Sequence, residues 1–180
     1  MNVLTINCGS SSIKVRLCAV DGSGVTAVFD GAVEAIGSSA VMDIRPASGT
    51  ASRTSGAVAD HAAALGALMD LLGDHHRRSI EAVGHRVVQG GAFMQPKLVD
   101  DEVVRAIEAG RRLAPLHNGP SLQGINADRE LLPGIAMVAV FDTTFHETMP
   151  AVASQYGLPQ ELTLKHGLRP ELQSGKETRR

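Results

Sequence analysis

Val3-Leu4-Thr5-Ile6-Asn7-Cys8-Gly9-Ser10-Ser11-Ser12-Ile13-Lys14-Val15-Arg16-Leu17-Cys18 is the stretch on which the fold turns. A short apolar run meets a turn of one glycine and three serines. Beyond it Ile13, Val15 and Leu17 alternate with Lys14, Arg16 and Cys18, the period of a half-buried strand. Strand, tight turn and strand make a hairpin. Working outward, Asp21-Gly22-Ser23-Gly24 is a second turn, and Val25 to Ile36 and Val41 to Arg45 read as further strands. Pro46 to Gly56, rich in Ala, Ser, Gly and Thr, reads as a loop.

The pattern then changes from meander to alternation. Val58, Ala62, Leu65, Leu68, Met69 and Leu72 recur at helical spacing, with Gly73 placed to end the helix. Ile80 to Val88 is a strand leading into Gly90-Gly91. Asp100 and Asp101 open a helix that carries Val103, Val104 and Ile107 and closes near Arg111 and Arg112, the charge order its dipole favours. Asn118 is a candidate cap for a helix bearing Leu122 and Ile125, stopped by Pro133-Gly134. Ile135 to Phe141 is an unbroken apolar run, expected to be a central strand covered on both faces. These elements specify an α/β domain with a mixed sheet.

Composition bounds the function. At 180 residues the chain is about one domain, and 43% apolar content supplies a core. Lys and Arg number 17 against 19 Asp and Glu, a net charge of −2, which argues against nucleic-acid and anionic-membrane partners. Aromatic residues are only 3%, too few for base-stacking platforms. Cys8 and Cys18 make neither a disulfide framework nor a metal knuckle. The first residues lack a basic n-region, and no apolar run approaches transmembrane length, so a cytoplasmic protein is expected. Glu171 to Arg180 is expected to be a disordered tail, because Leu172 alone could join a core.

Three segments could carry chemistry. At the turn Asn7 to Ser12, several N–H and O–H donors converge as they do around phosphate oxygens, and Lys14 could add charge; a plain polar hairpin is the alternative. The spacing is not that of a Walker loop, and a strand follows instead of a helix. In Gly84-His85-Arg86-Val87-Val88, an arginine among apolar residues must meet an anion, either a small carboxylate ligand or an internal acid. Asp142 follows the apolar run, where open α/β sheets collect ligands at strand C-termini; a structural cap is the other reading. His117 is a loop candidate. His75-His76-Arg77-Arg78 reads as a solvated helix end and not as a metal site.

In this order, Asn7 to Lys14, Gly84 to Val88, Leu113-Ala114-Pro115-Leu116-His117-Asn118, Val140-Phe141-Asp142-Thr143-Thr144-Phe145-His146 and Tyr156-Gly157-Leu158-Pro159 resemble the acetate kinase family of the acetate and sugar kinase/Hsp70/actin superfamily. The resemblance spans roughly residues 2 to 169. It implies a ribonuclease H-like, actin-like ATPase domain over residues 1–170, one half of a normally duplicated fold. It also implies reversible transfer of the ATP γ-phosphoryl group to acetate, with Mg2+. By the same resemblance Asn7 would help place the metal, and Ser10, Ser12 and Lys14 would line the phosphate side. Arg86 would hold acetate or the phosphoryl group, Asp142 would be the catalytic carboxylate, and His117 would be auxiliary.

Gln89 stands where the family usually has a histidine. The family's second-half segments, with its adenosine site, have no counterpart in these 180 residues. The expectations are therefore an N-terminal half inactive by itself, a docking half of a split kinase, or a truncated remnant. A homodimer or a complementary C-terminal half is the expected protein partner, and propionate is the alternative substrate.

Overall fold

In the computed structural model, residues 1–145 are described except Ala92, Met94 and Leu113, together with Glu161. The expected tail at 171–180, Tyr156 to Pro159, and His146 lie outside the described residues.

The opening hairpin is β1 (Asn2–Gly9) and β2 (Ser12–Asp21), followed by β3 (Gly24–Glu34), β4 (Ser39–Pro46) and β5 (Ser52–Ala57), each antiparallel to the last. Helices α1 (His61–Leu72) and α2 (Asp74–Arg78) lead to β6 (Ala82–Val87), which pairs parallel to β1. After β7 (Lys97–Leu98), α3 (Asp101–Gly110) and α4 (Pro115–Leu131), β8 (Ala136–Phe141) pairs parallel to β6 and runs into α5 (Asp142–Phe145). The sheet order is β5-β4-β3-β2-β1-β6-β8-β7, with β7 antiparallel to β8. It is the mixed sheet expected.

Helices α1 and α4 pack against one face of that sheet. Ile13, Val15 and Leu17 of β2 meet Leu65, Leu68 and Met69 of α1 in a buried core. Asp60 caps α1 by accepting from the Ala63 N–H, and Gly73, at φ 81°, closes it in a conformation open mainly to glycine. Val87, Ala139 and Phe141 meet Ile107, Leu122 and Ile125 in a second cluster. Gly124 lets α4 approach β1 closely, since a Cβ there would lie 2.5 Å from Cys8 Sγ.

Three expectations fail. The stretch Pro46 to Gly56 is not all loop, because β5 begins at Ser52. Every β5 residue is exposed, so an edge strand held through its backbone leaves no hydrophobic alternation to read. Asn118 does not cap α4. Proline, preset for the first helical turn, starts the helix at Pro115, and Asn118 is fully buried inside it. Finally, β8 is not covered on both faces among the described residues. Met137, Ala139 and Phe141 are buried toward the helices, whereas Val140 is 44% exposed on the opposite face.

At α2, Arg77 is more than a solvated end, since its guanidinium donates to the Leu131 carbonyl at 2.8 Å. No described helix is long and apolar enough to cross a membrane.

Candidate functional site

The register of the central strands builds the site. Lys14 of β2 lies opposite Asn7 of β1, Asn7 opposite Arg86 of β6, and Arg86 opposite Val140 of β8. Side chains directly opposite in a sheet share a face, and these alternate with the buried Ile6, Ile13, Val15 and Val87. Together they form a row across the face opposite α1 and α4. They line a groove of about 820 Å³ that continues past Arg16 and Arg53 on the hairpin side.

Asp142 closes the row at the end of β8. Arg86 donates through Nε to Asp142 Oδ1 at 2.9 Å and through Nη2 to Oδ2 at 2.6 Å, a bidentate fork. Its Nη1 donates to Asn7 Oδ1 at 3.2 Å. Among the described residues, three of the guanidinium's five N–H groups are thus engaged, which leaves two that could meet an anion. The hydrogen bond from Asp142 raises the Arg86 pKa further above its ordinary value, against a smaller opposing effect of burial. The arginine therefore stays charged. Both alternatives for Arg86 remain compatible: it has an internal acid, and it keeps donors to spare.

Lys14 forms no ion pair among the described residues, so it is the uncompensated cation of the row. Ser10 is exposed at the hairpin tip, and Ser12, half-buried, pairs with Gly9 at the first rung. A Cβ at position 9 would come within 2.9 Å of Ser12 Oγ, which would have to turn away. Neither serine lines the groove; both sit at the end of the hairpin that supplies Lys14. His117 is exposed on the first turn of α4 and does not line the groove either.

The oxygens that could face a metal ion are Asn7 Oδ1 and the Asp142 carboxylate, and all three already accept from Arg86. No group of three or more acidic, histidine or cysteine residues gathers among the described residues. Such a set suits contact through the water shell of an ion carried by phosphates, as Mg2+ usually is, and not an all-protein cage.

Sequence reasoning missed the groups behind the sheet. His61 Nε2 lies 2.7 Å from the Gly9 carbonyl oxygen. His85 Nε2 lies 3.1 Å from Asp128 Oδ2, both side chains almost wholly buried, at ion-pair distance but without an aligned hydrogen bond. Burial pushes the Asp128 carboxyl pKa up, and His85 opposes that rise. Burial, followed by the charge of Asp128, pushes the Cys8 thiol up to about 12. Asn118 clasps the loop after β6: its Oδ1 accepts from Gln89 N, and its Nδ2 donates to the carbonyls of Gln89 and Ile107. No periodicity signals partners so distant in sequence.

A family model described as the Acetokinase family matches residues 2–172. The chain belongs to the acetokinase family. It is 42% identical over 177 residues to the acetate kinase of Natranaerobius thermophilus and 44% identical over 177 residues to that of Desulfitobacterium hafniense. Each alignment covers 94% of this chain but 44% of the relative, so the chain spans less than half the length of these acetokinase relatives. Among solved structures, acetate kinase of Porphyromonas gingivalis superposes with TM-score 0.82 at 35% identity. A propionate kinase from Francisella tularensis superposes with TM-score 0.81 at 33% identity. Both cover 94% of this chain and 44% of the other, and they bear out the actin-like half-fold expected of an acetokinase.

Proposed function

We propose that this chain is the carboxylate-binding half of an acetate kinase, which transfers the γ-phosphoryl group of ATP to an acetate oxygen. The products are acetyl phosphate and ADP, and the reaction is reversible. The observation that carries the reading is the Arg86–Asp142 fork, set in register with Asn7 and Lys14 on the open sheet face. Phosphoryl transfer needs little covalent help from the protein; it needs alignment and compensation of charge on the phosphoryl oxygens.

In this reading the two remaining Arg86 donors hold the acetate carboxylate or the transferring group. Asp142 fixes that guanidinium and orients the attacking acid. Lys14, with Ser10 and Ser12 at the hairpin end, faces the phosphates. Asn7 would meet the water shell of a Mg2+ ion carried by the nucleotide, which would supply compensation of phosphate charge. His117 stays auxiliary, outside the groove.

The nucleotide side comes from a complementary C-terminal half, and the chain is inactive without it. The alternatives are a docking half without its own chemistry and a homodimer. Cytoplasmic residence follows from soluble metabolites as substrates. Propionate is the second substrate reading, favoured by the likeness to the Francisella tularensis propionate kinase. One added methylene changes binding by only about 1–3 kcal/mol.

The test mixes the purified chain with the separately expressed C-terminal half of the Porphyromonas gingivalis enzyme, trapping acyl phosphate as hydroxamate with acetate or propionate. Product in the mixture and none above background from either half alone is expected. Two folded, associated halves that make no acyl phosphate would overturn the proposal.

A further inference from the structure

The tip of the β1–β2 hairpin is tied from behind at two carbonyls. His61 opens α1, is 6% exposed, and places Nε2 2.7 Å from the Gly9 carbonyl oxygen, 52 residues away in sequence. A carbonyl can only accept, so the ring nitrogen at that position carries the hydrogen. On the other side, the Ile36 N–H donates to the Ser11 carbonyl at 3.0 Å. The Gly37 N–H donates to the Val58 carbonyl at 2.8 Å, which joins that second tie to the segment entering α1. Asp60 in turn fixes the start of α1 through the Ala63 N–H.

The consequence is electrostatic. A backbone carbonyl turned toward a phosphate repels it, whereas N–H and hydroxyl groups attract it. With the Gly9 and Ser11 oxygens engaged behind the turn, Ser10 and Ser11 stay exposed at its tip. A two-residue turn rich in serine and glycine has many alternatives, so this orientation needs an external hold.

We infer that His61 is a positioning residue for the phosphate-side turn: its Nε2–H bond to Gly9 holds Ser10 and Ser11 at the exposed tip, where their donors can meet a phosphate group. The inference rests on the reading above that this turn takes phosphate. An imidazolium keeps Nε2–H, so protonation leaves the bond in place and substitution is the informative perturbation.

The experiment is NMR on the 180-residue chain, unaltered and as His61→Leu and His61→Gln, with inorganic pyrophosphate as the probe. In the unaltered chain His61 is expected as the Nε2–H tautomer with a protected ring proton. His61→Leu should lower backbone order at Ser10–Ser12 and weaken pyrophosphate about tenfold, the worth of one hydrogen bond. His61→Gln, which keeps a donor, should restore both to within about twofold. Acetate-induced shifts at Arg86 should be the same in all three.

A folded His61→Leu with parental turn order and affinity would overturn the inference, as would a His61→Gln no better than His61→Leu. An unprotected ring or an Nδ1–H tautomer in the unaltered chain would overturn it even if His61→Leu did not fold. Absence of pyrophosphate shifts at Ser10–Ser12 in the unaltered chain would instead defeat the phosphate reading of the turn. The tether itself would still be decided by turn order.

Discussion

Arg86 and Asp142 hold one another in a bidentate fork, which changes how substitutions at each should read. Arg86→Lys keeps the charge but cannot hold both Asp142 oxygens and Asn7 in a planar fork. In the mixture of halves, its kcat/KM should fall about 10²-fold or more, and Asp142→Asn should fall by on the order of 10²–10⁴-fold. Arg78→Ala, at an exposed position whose only partner among the described residues is Asp74 at 3.8 Å, serves as the control and should stay near parental. A near-parental Asp142→Asn would remove that carboxylate from the site. Cys8 offers a separate check at this scale. With its thiol pushed up to about 12 and its side chain beneath α4, it should resist alkylation in the folded chain and react on unfolding. Mass spectrometry of iodoacetamide-treated protein reads this directly, and rapid native labelling of Cys8 would contradict the burial.

At the scale of elements, β6 and α4 are joined on the face away from the groove by His85 and Asp128. Burial raises the folded-state pKa of Asp128, so the folded chain binds that proton more tightly than the unfolded chain does. The carboxyl's contribution to stability is therefore present at low pH and is lost as pH rises through the folded value. Asp128→Asn should flatten the dependence of the urea midpoint on pH above the ordinary carboxylate range. An unchanged pH profile would show that Asp128 ionises freely. Asn118 makes three hydrogen bonds to buried backbone, and Asn118→Leu should lower stability by about 2–4 kcal/mol because those groups lose their partner. Circular-dichroism melting checks it, and an unshifted midpoint would mean that water replaces the amide. These elements also show where sequence was readable. A short apolar run marked β1 and Gly73 the end of α1, and alternation revealed β2 because one of its faces is packed. Alternation could not reveal β5, whose faces are both open, nor the clasp of Asn118, whose partners come from a different loop and helix.

For the whole molecule, α1 and α4 stand on one face of the sheet and the candidate site on the other. The sequence motifs located Asn7, Lys14, Arg86 and Asp142, and strand register is what brings the first three into one row. The ion pair within that row was one of two readings open for a lone arginine. Ser10, Ser12 and His117 stand apart from it, for different reasons: a hairpin tip beyond the groove and a helix turn facing solvent. The central claim is that this open face recognises a small carboxylate joined to a phosphoryl group. Its most direct measurement is a titration of the isotope-labelled 180-residue chain with acetyl phosphate, following side-chain resonances of Arg86 and Asn7. The account predicts saturable shifts at both, weakened by Lys14→Ala, and a shift at Asn7 that Arg86→Lys abolishes. Shifts absent from the row, or centred on the cleft between α3 and α4 near Arg105 and Gln123, would contradict it.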